Sequence, residues 1–143
     1  MELSQFSIKD YDEVRGVWME SGLEIRPGDS KKEVAQKMKR DPDLFLVARE
    51  NGRVVGTVMG AWDGRRGWIY HLGVLPGFQK RGFATALVGE LEVRMRKKGV
   101  LKVNAIVYKT NDRSLGFFRK MGYEIDSRSL VHGKILGSDS PEN

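Results

Sequence analysis

The feature that most constrains this chain is a pair of tight-turn dipeptides set between apolar runs. Asn51-Gly52 separates residues 44–48 from residues 53–62, and Asp63-Gly64 separates the latter from residues 67–75. Asn-Gly and Asp-Gly tolerate the positive backbone angles that two-residue hairpin turns demand, so these runs are expected to form three adjacent antiparallel strands. Immediately afterwards the apolar spacing changes from two to three and four. Ala84, Leu87, Val88, Leu91 and Met95 fall on one helical face, closed by Lys97, Lys98 and Gly99.

Further helices and strands follow from local signals. Asp10 with Glu13 reads as a capping box before Val14, Val17 and Trp18, and Gly22 stops that helix. Ser30 with Glu33 opens a second helix, carried by Val34 and Met38 and blocked by Pro42. Residues 3–8 and 101–108 read as strands, Asn111 caps a short helix with Leu115 and Phe118, and residues 130–136 read as a last strand. The expectation is an α+β fold, a mixed sheet with helices on its faces. A single domain covers residues 1–136, with residues 137–143 expected to be a disordered tail. A chain of 143 residues suits one domain with its own core.

Composition excludes several chemistries. There is no Cys, so disulfides, thiolate metal sites and a cysteine nucleophile are out, and His71 and His132 are too few for a histidine metal centre. No metal cofactor is expected. No apolar run reaches the ~20 residues that span a bilayer, so no membrane partner is expected and a cytoplasmic location is the simplest expectation. The net charge of +6 raises nucleic-acid binding. From Pro76 to Lys102, seven basic residues oppose two acidic ones, and the basic residues sit at the two ends of the expected helix. That pattern fits a nucleic-acid patch, a site for a phosphorylated small molecule, or a solvated surface.

The phosphate reading has a local basis. A strand ends at Pro76 and a helix opens around residues 81–84, so the intervening turn presents unpaired helix amides. Lys80 and Arg81 add charge beside them, and Gly82 lets backbone approach closely. The window is neither a P-loop nor the dinucleotide fingerprint, since the required glycine spacings are missing.

Gln79-Lys80-Arg81-Gly82-Phe83-Ala84 resembles the Gln/Arg-x-x-Gly-x-Gly/Ala signature of the GNAT superfamily of acyl-CoA N-acyltransferases. Downstream, residues 111–123, from Asn111 through Phe118 to Gly122 and Tyr123, are similar to that family's second motif, Asn-x-x-Ala-x-x-Leu/Phe-Tyr-x-x-x-Gly-Phe/Tyr. The resemblance spans residues 3–136 and is nearest to small stand-alone members, including those similar to ribosomal-protein alanine acetyltransferases.

The resemblance implies a mostly antiparallel sheet of six to seven strands with four helices and a splayed central strand pair. It implies acetyl-CoA as cosubstrate, with main-chain groups of Leu72 and Val74 offered to pantetheine. Gln79, Lys80, Arg81, Gly82, Phe83 and Ala84 would cradle the pyrophosphate, with Thr85 adding a hydroxyl and Asn111 and Phe118 near the end of the arm. The implied reaction is direct attack of a primary amine, a protein N-terminus or a small metabolite, on the thioester. Phe118 occupies the place of the family's usual proton-donating Tyr, so Tyr108 is the substitute donor candidate. On the strand before the loop, positions 68, 70 and 72 hold Trp68, Tyr70 and Leu72, none a base near neutral pH. Tyr70 is a candidate to orient a water or the amine, while strict alternation turns His71 away. The acceptor is expected near Glu24 and Arg26 and at residues 63–66. A CoA-binding regulator with little catalysis is the alternative, and a homodimer using the last strand at its edge stays open.

Overall fold

A computed structural model describes residues 1–138, and most of the expected tail lies outside them. Five strands form one sheet in the order β1 (Glu2–Gln5), β2 (Phe45–Glu50), β3 (Arg53–Trp62), β4 (Gly67–Val74) and β5 (Val103–Ala105). The first four are antiparallel neighbours, and β4 pairs β5 in parallel. Helices α1 (Tyr11–Glu20), α2 (Lys31–Arg40), α3 (Phe83–Lys97) and α4 (Asp112–Lys120) complete a mixed α+β fold. At the first hairpin, Asn51 and Gly52 both take positive φ (53° and 79°), the geometry expected of a primed two-residue turn.

The two faces of the sheet are covered differently. On one, α3 buries Leu87, Leu91 and Met95, spaced one helical turn apart, against glycines of the sheet. A Cβ built on Gly60 would lie 2.7 Å from Leu91 Cδ1 and 2.9 Å from the Leu44 carbonyl, and one on Gly67 would lie 2.6 Å from Met95 Sδ. The missing side chains let α3 sit close to the backbone, which fixes where its N-terminus points. On the other face, α1 buries Val14, Val17 and Trp18, and Ser21 Oγ would meet a Cβ on Gly73 at 2.7 Å.

Several expectations change on folding. The capping box forms one turn earlier: Ser7 N–H donates to Asp10 Oδ2 at 3.1 Å, which ends β1 before residue 8, while Glu13 accepts from the Val54 amide at 3.1 Å. Among the described residues the last strand is absent, and the sheet has five strands and not six to seven. Leu130, Val131, Ile135 and Leu136 are between 72% and 92% exposed, and no strand of the described residues pairs with them. Apolar β-prone residues form a strand only where an edge accepts them, and this chain does not bring them to its own edge. The strand expected over 101–108 shortens to Val103–Ala105, which pairs with residues 67–69 of β4.

Candidate active site

The site grows from an irregularity in β4. Met59 of β3 faces Tyr70, but Thr57 faces Gly73, so β4 carries one extra residue in between. His71 sits in this bulge with φ of 47°, a left-handed value that a side chain adopts at a cost. The bulge resets the alternation. Leu75 N–H donates to the Val55 carbonyl at 2.9 Å, so Leu75 and Gly73 direct their main-chain groups to β3. The intervening Leu72 and Val74 therefore direct theirs to the opposite side, where β5 would lie.

On that side β5 is missing. Pairing with β5 ends at Ile69 opposite Ala105, with one further bond from the Ile106 amide to the Ile69 carbonyl at 3.1 Å. Beyond this point the two strands are no longer paired, and main-chain groups of Leu72 and Val74 point to the side that β5 has left. Gln79 Nε2 donates to the Val74 carbonyl at 3.0 Å, tying the following loop to the cleft wall.

The loop then turns back twice, with Lys80 (φ 62°) and Gly82 (φ 87°) both left-handed on either side of Arg81. Gly82 is the N-cap of α3, and its carbonyl takes the first intrahelical bond, from Ala86 N–H at 3.0 Å. The amides of Phe83, Ala84 and Thr85 precede that bond and carry the positive end of the helix dipole. A Cβ on Gly82 would meet nothing within 4 Å, so the surface at this residue is open. Phe83 itself is a core side chain, 2% exposed, so only its backbone belongs to the site.

The basic side chains are placed unequally. Lys80 is exposed beside the amides. Arg81 turns to the β2–β3 hairpin, where its NH2 donates to both oxygens of Glu50 at 2.9 Å and its guanidinium lies over Phe78 and Phe83 at 5.2 and 5.6 Å. At the far end of α3, Arg94 pairs with Glu90 and Lys98 with Asp43.

At the other end of the cleft, Asn111 caps α4 by accepting from Ser114 N–H at 3.1 Å, which leaves its amide nitrogen as the donor side. Phe118 is buried and stands edge-on to Phe117 and Tyr123, both with ring centroids at 5.1 Å. Tyr123 donates to Glu92 at 2.6 Å, and burial followed by that carboxylate raises its hydroxyl well above the ordinary tyrosine value. It is an anchor between α4 and α3.

Three residues singled out in the sequence come together although they lie far apart in the chain. Arg26 NH1 donates to the Tyr108 hydroxyl, and that hydroxyl donates to Glu24 Oε2 at 3.2 Å. Arg26 and Glu24 also pair directly at 3.7 Å. The cluster joins the α1–α2 loop to the segment after β5. Tyr70 follows Ile69, at the point where the strands part. Burial, then the Asp63 carboxylate, raise its hydroxyl above the ordinary value, so it stays protonated at neutral pH. Asp63 closes the second hairpin by accepting from the amides of Arg65 and Arg66 at 2.8 and 2.7 Å, and these bonds lower its carboxyl to about 2.

Asp29 was not legible as a site residue. Its Oδ2 lies 2.8 Å from His71 Nε2 and accepts from Arg26 N–H at 2.8 Å, while its own carbonyl accepts from Tyr11. His71 also packs on Trp18 at 4.9 Å. The pair pins the α1–α2 loop to the β4 bulge. Only the bulge made this pairing possible, and nothing in a period-two strand pattern announces a bulge.

The site is thus a parallel strand pair that ends at Ile69 and Ala105, followed by a left-handed turn into the N-terminus of α3. The chain belongs to the acetyltransferase (GNAT) family, whose model matches residues 11–123. It is an acetyltransferase. It is 39% identical over 137 residues to an acetyltransferase of Yersinia enterocolitica, covering 95% of this chain and 96% of the other. The fold is similar to that of Ard1 from Thermoplasma volcanium (TM-score 0.80, 24% identity, 88% of this chain and 84% of that one). It is also similar to the PaiA N-acetyltransferase of Thermoplasma acidophilum in complex with coenzyme A (TM-score 0.78, 22% identity, 87% and 90%). No helix among the described residues is long and apolar enough to cross a membrane. Among the same residues, no group of three or more His, Asp or Glu is placed to hold a metal ion.

Proposed function

We propose that this enzyme moves an acetyl group from acetyl-CoA to a primary amine, on a peptide N-terminus or a small metabolite, by direct attack. The observation that carries the reading is the continuity between the parted strands and the helix end. Main-chain donors and acceptors at Leu72 and Val74 line the cleft, and the amides of Phe83, Ala84 and Thr85 close its end. Such groups match a ligand with amide bonds along an arm and a pyrophosphate at its terminus. The coenzyme A complex of a protein with the same fold supports the choice of ligand.

In this reading Val74 N–H, or its neighbour on β4, polarises the thioester carbonyl. Lys80 faces the pyrophosphate, while Arg81, held by Glu50, braces the loop. Asn111 contributes its amide nitrogen to the arm. Phe118 packs beside the sulfur and has no proton to give, so the thiol leaves with help from the Tyr108 hydroxyl or as a thiolate. The amine enters beside Glu24, Arg26 and Tyr70. A carboxylate on the acceptor would meet Arg26, and an ammonium would meet Glu24. In this reading the positive surface serves the phosphorylated ligand rather than nucleic acid, and three of its basic residues, Arg81, Arg94 and Lys98, have carboxylate partners.

A panel of amines and short peptides incubated with acetyl-CoA tests the reading, with released thiol as the readout. Turnover with at least one acceptor supports it. Tight coenzyme A binding without turnover across the panel would instead favour a CoA-binding regulator, to which Phe118 already lends some weight.

A further inference from the structure

Arg26 is firmly placed in the α1–α2 loop, yet its charge is only half used. Its amide donates to Asp29 Oδ2 at 2.8 Å, and the Asp29 amide donates back to the Arg26 carbonyl at 3.0 Å. Asp29 is buried and is itself held by His71 Nε2 of the β4 bulge at 2.8 Å. From this fixed backbone the side chain crosses to the segment after β5. There Nη1 donates to the Tyr108 hydroxyl, and the guanidinium lies 5.9 Å from the centre of that ring. The Asn111 amide donates to the Tyr108 carbonyl at 3.0 Å, so the cluster adjoins the cap of α4. A guanidinium is a planar fork, and a carboxylate accepting two parallel bonds fits it best. Glu24 is the carboxylate paired with it, and it reaches Nη1 alone, at 3.7 Å. Among the described residues the side-on edge formed by Nε and Nη2 has no partner, and both Arg26 and Glu24 are more than half exposed.

We infer that Arg26 and Glu24 form a subsite for a zwitterionic acceptor, one that carries a carboxylate close to its amine. The carboxylate takes the side-on edge of Arg26 and the ammonium takes Glu24. An exposed ion pair contributes little and exchanges readily. A ligand with both charges opens this pair without leaving either residue alone, and it replaces one long contact with a two-bond fork. A plain amine gains Glu24 only and leaves the fork empty. A free α-amino acid and a peptide whose first residue is acidic offer the same two groups. The part played by the amine rests on the acetyl-transfer reading above, whereas the hold on the carboxylate does not. In the transfer, the ammonium first gives one proton to solvent. The N–C bond then forms as the C–S bond breaks, the second proton leaves for the departing sulfur, and the carboxylate is unchanged.

The test uses the full chain and matched probes: each free α-amino acid against its α-amide, and the dipeptide amide Glu-Ala against Gln-Ala. Each is offered as an acceptor with acetyl-CoA and as a ligand of the coenzyme A-loaded protein in calorimetry. At least one carboxylate-bearing member is expected to exceed its match by about tenfold or more in kcat/KM, through KM, and in affinity. Which pair shows the gap tells a free amino acid from a peptide with an acidic first residue. Arg26→Gln should remove the preference, and Arg26→Lys, which keeps the charge and loses the fork, should restore only part of it. Equal turnover of acids and their matches would overturn the inference and leave acetyl transfer standing. Tighter binding of an acid that Arg26→Gln abolishes, with no thiol released from any acceptor, would support the subsite and remove the transfer reading. No preference in binding, or a preference that survives Arg26→Gln, would overturn the inference.

Discussion

The two ends of the cleft are built in opposite ways. The cofactor end is local. Gln79, Lys80, Gly82 and the first amides of α3 lie within one turn of chain, and α3 is seated by glycines in the adjacent strands. In the proposed reading backbone groups do the binding there, so side-chain identity matters little except where a Cβ would intrude. The acceptor end is assembled from a distance. Arg26 and Glu24 meet Tyr108 across more than eighty residues, and Asp29 meets His71 across forty-two. A family can hold the first end constant and vary the second one contact at a time, which fits one shared donor and many acceptors.

The largest expected effect tests how rigidly the cofactor end is seated. Gly60→Ala forces a methyl against Leu91 and the Leu44 carbonyl, and the carbonyl cannot yield as a side chain does. A loss of about 2 kcal/mol of stability is expected from such overpacking, read as a lowered midpoint in denaturant with an unchanged slope. Full native stability would show that α3 can shift freely, and the contrast between a rigid and an assembled end would fail.

Next in size is Gly82→Val. The added side chain meets open space in the free protein but occupies the approach to the helix amides. Coenzyme A affinity should fall more than tenfold, or about 1.4 kcal/mol. Strain at a left-handed residue also costs roughly 1–2 kcal/mol of stability, so affinity is compared only in folded samples by calorimetry. Unchanged affinity would remove the anion site from this turn.

Tyr108→Phe probes the assembled end. General-acid assistance is typically worth ~10²–10⁴-fold, so kcat should drop at least tenfold if Tyr108 donates, with Phe118→Tyr nearly neutral. If instead Phe118→Tyr raises kcat and Tyr108→Phe does nothing, Tyr108 belongs to the Arg26–Glu24 latch alone. Coenzyme A affinity should stay put in both variants, which separates this end from the other.

A smaller effect is expected from Asp29→Asn, which keeps shape while weakening the hold on His71 and the Arg26 amide. The acceptor KM should rise by about three- to fivefold, on the order of a single polar contact, with the Kd for coenzyme A unmoved. A matching change in both constants would mean that the bulge serves the two ends equally.

The least effect concerns acid. The Asp63 carboxyl is lowered to about 2 from its ordinary 3.8 by the amides of Arg66 and Arg65. Its stabilisation of the second hairpin is therefore complete above about pH 4 and is lost as pH falls towards 2. Asp63→Asn should flatten the stability profile in that window and nowhere else, as followed by acid titration of the circular dichroism signal.

Legibility in the sequence followed the same division. The hairpin at Asn51-Gly52, the cap at Ser30 and the faces of α3 and α4 were readable because each depends on residues within one turn of each other. The turn from β4 into α3 was readable for the same reason. The β4 bulge was not, since a single inserted residue leaves the apolar pattern intact while flipping every later position. Strict alternation turned His71 away, whereas the bulge sets it against Asp29 and Trp18. The strand expected at residues 130–136 failed for another reason: its apolar residues carry the propensity, but a strand exists only with a partner.

The amino-acid sequence by itself determined the order of the helices and of the first five strands, the meander, and the turn that opens α3, because short-range sterics and hydrogen bonding fix those without reference to the rest of the chain. The tertiary structure alone decided where β4 and β5 part, which side of β4 opens to the cleft, and which distant side chains meet at the acceptor end. Those outcomes depend on register between strands and on packing between elements, and neither is written in any single window of residues.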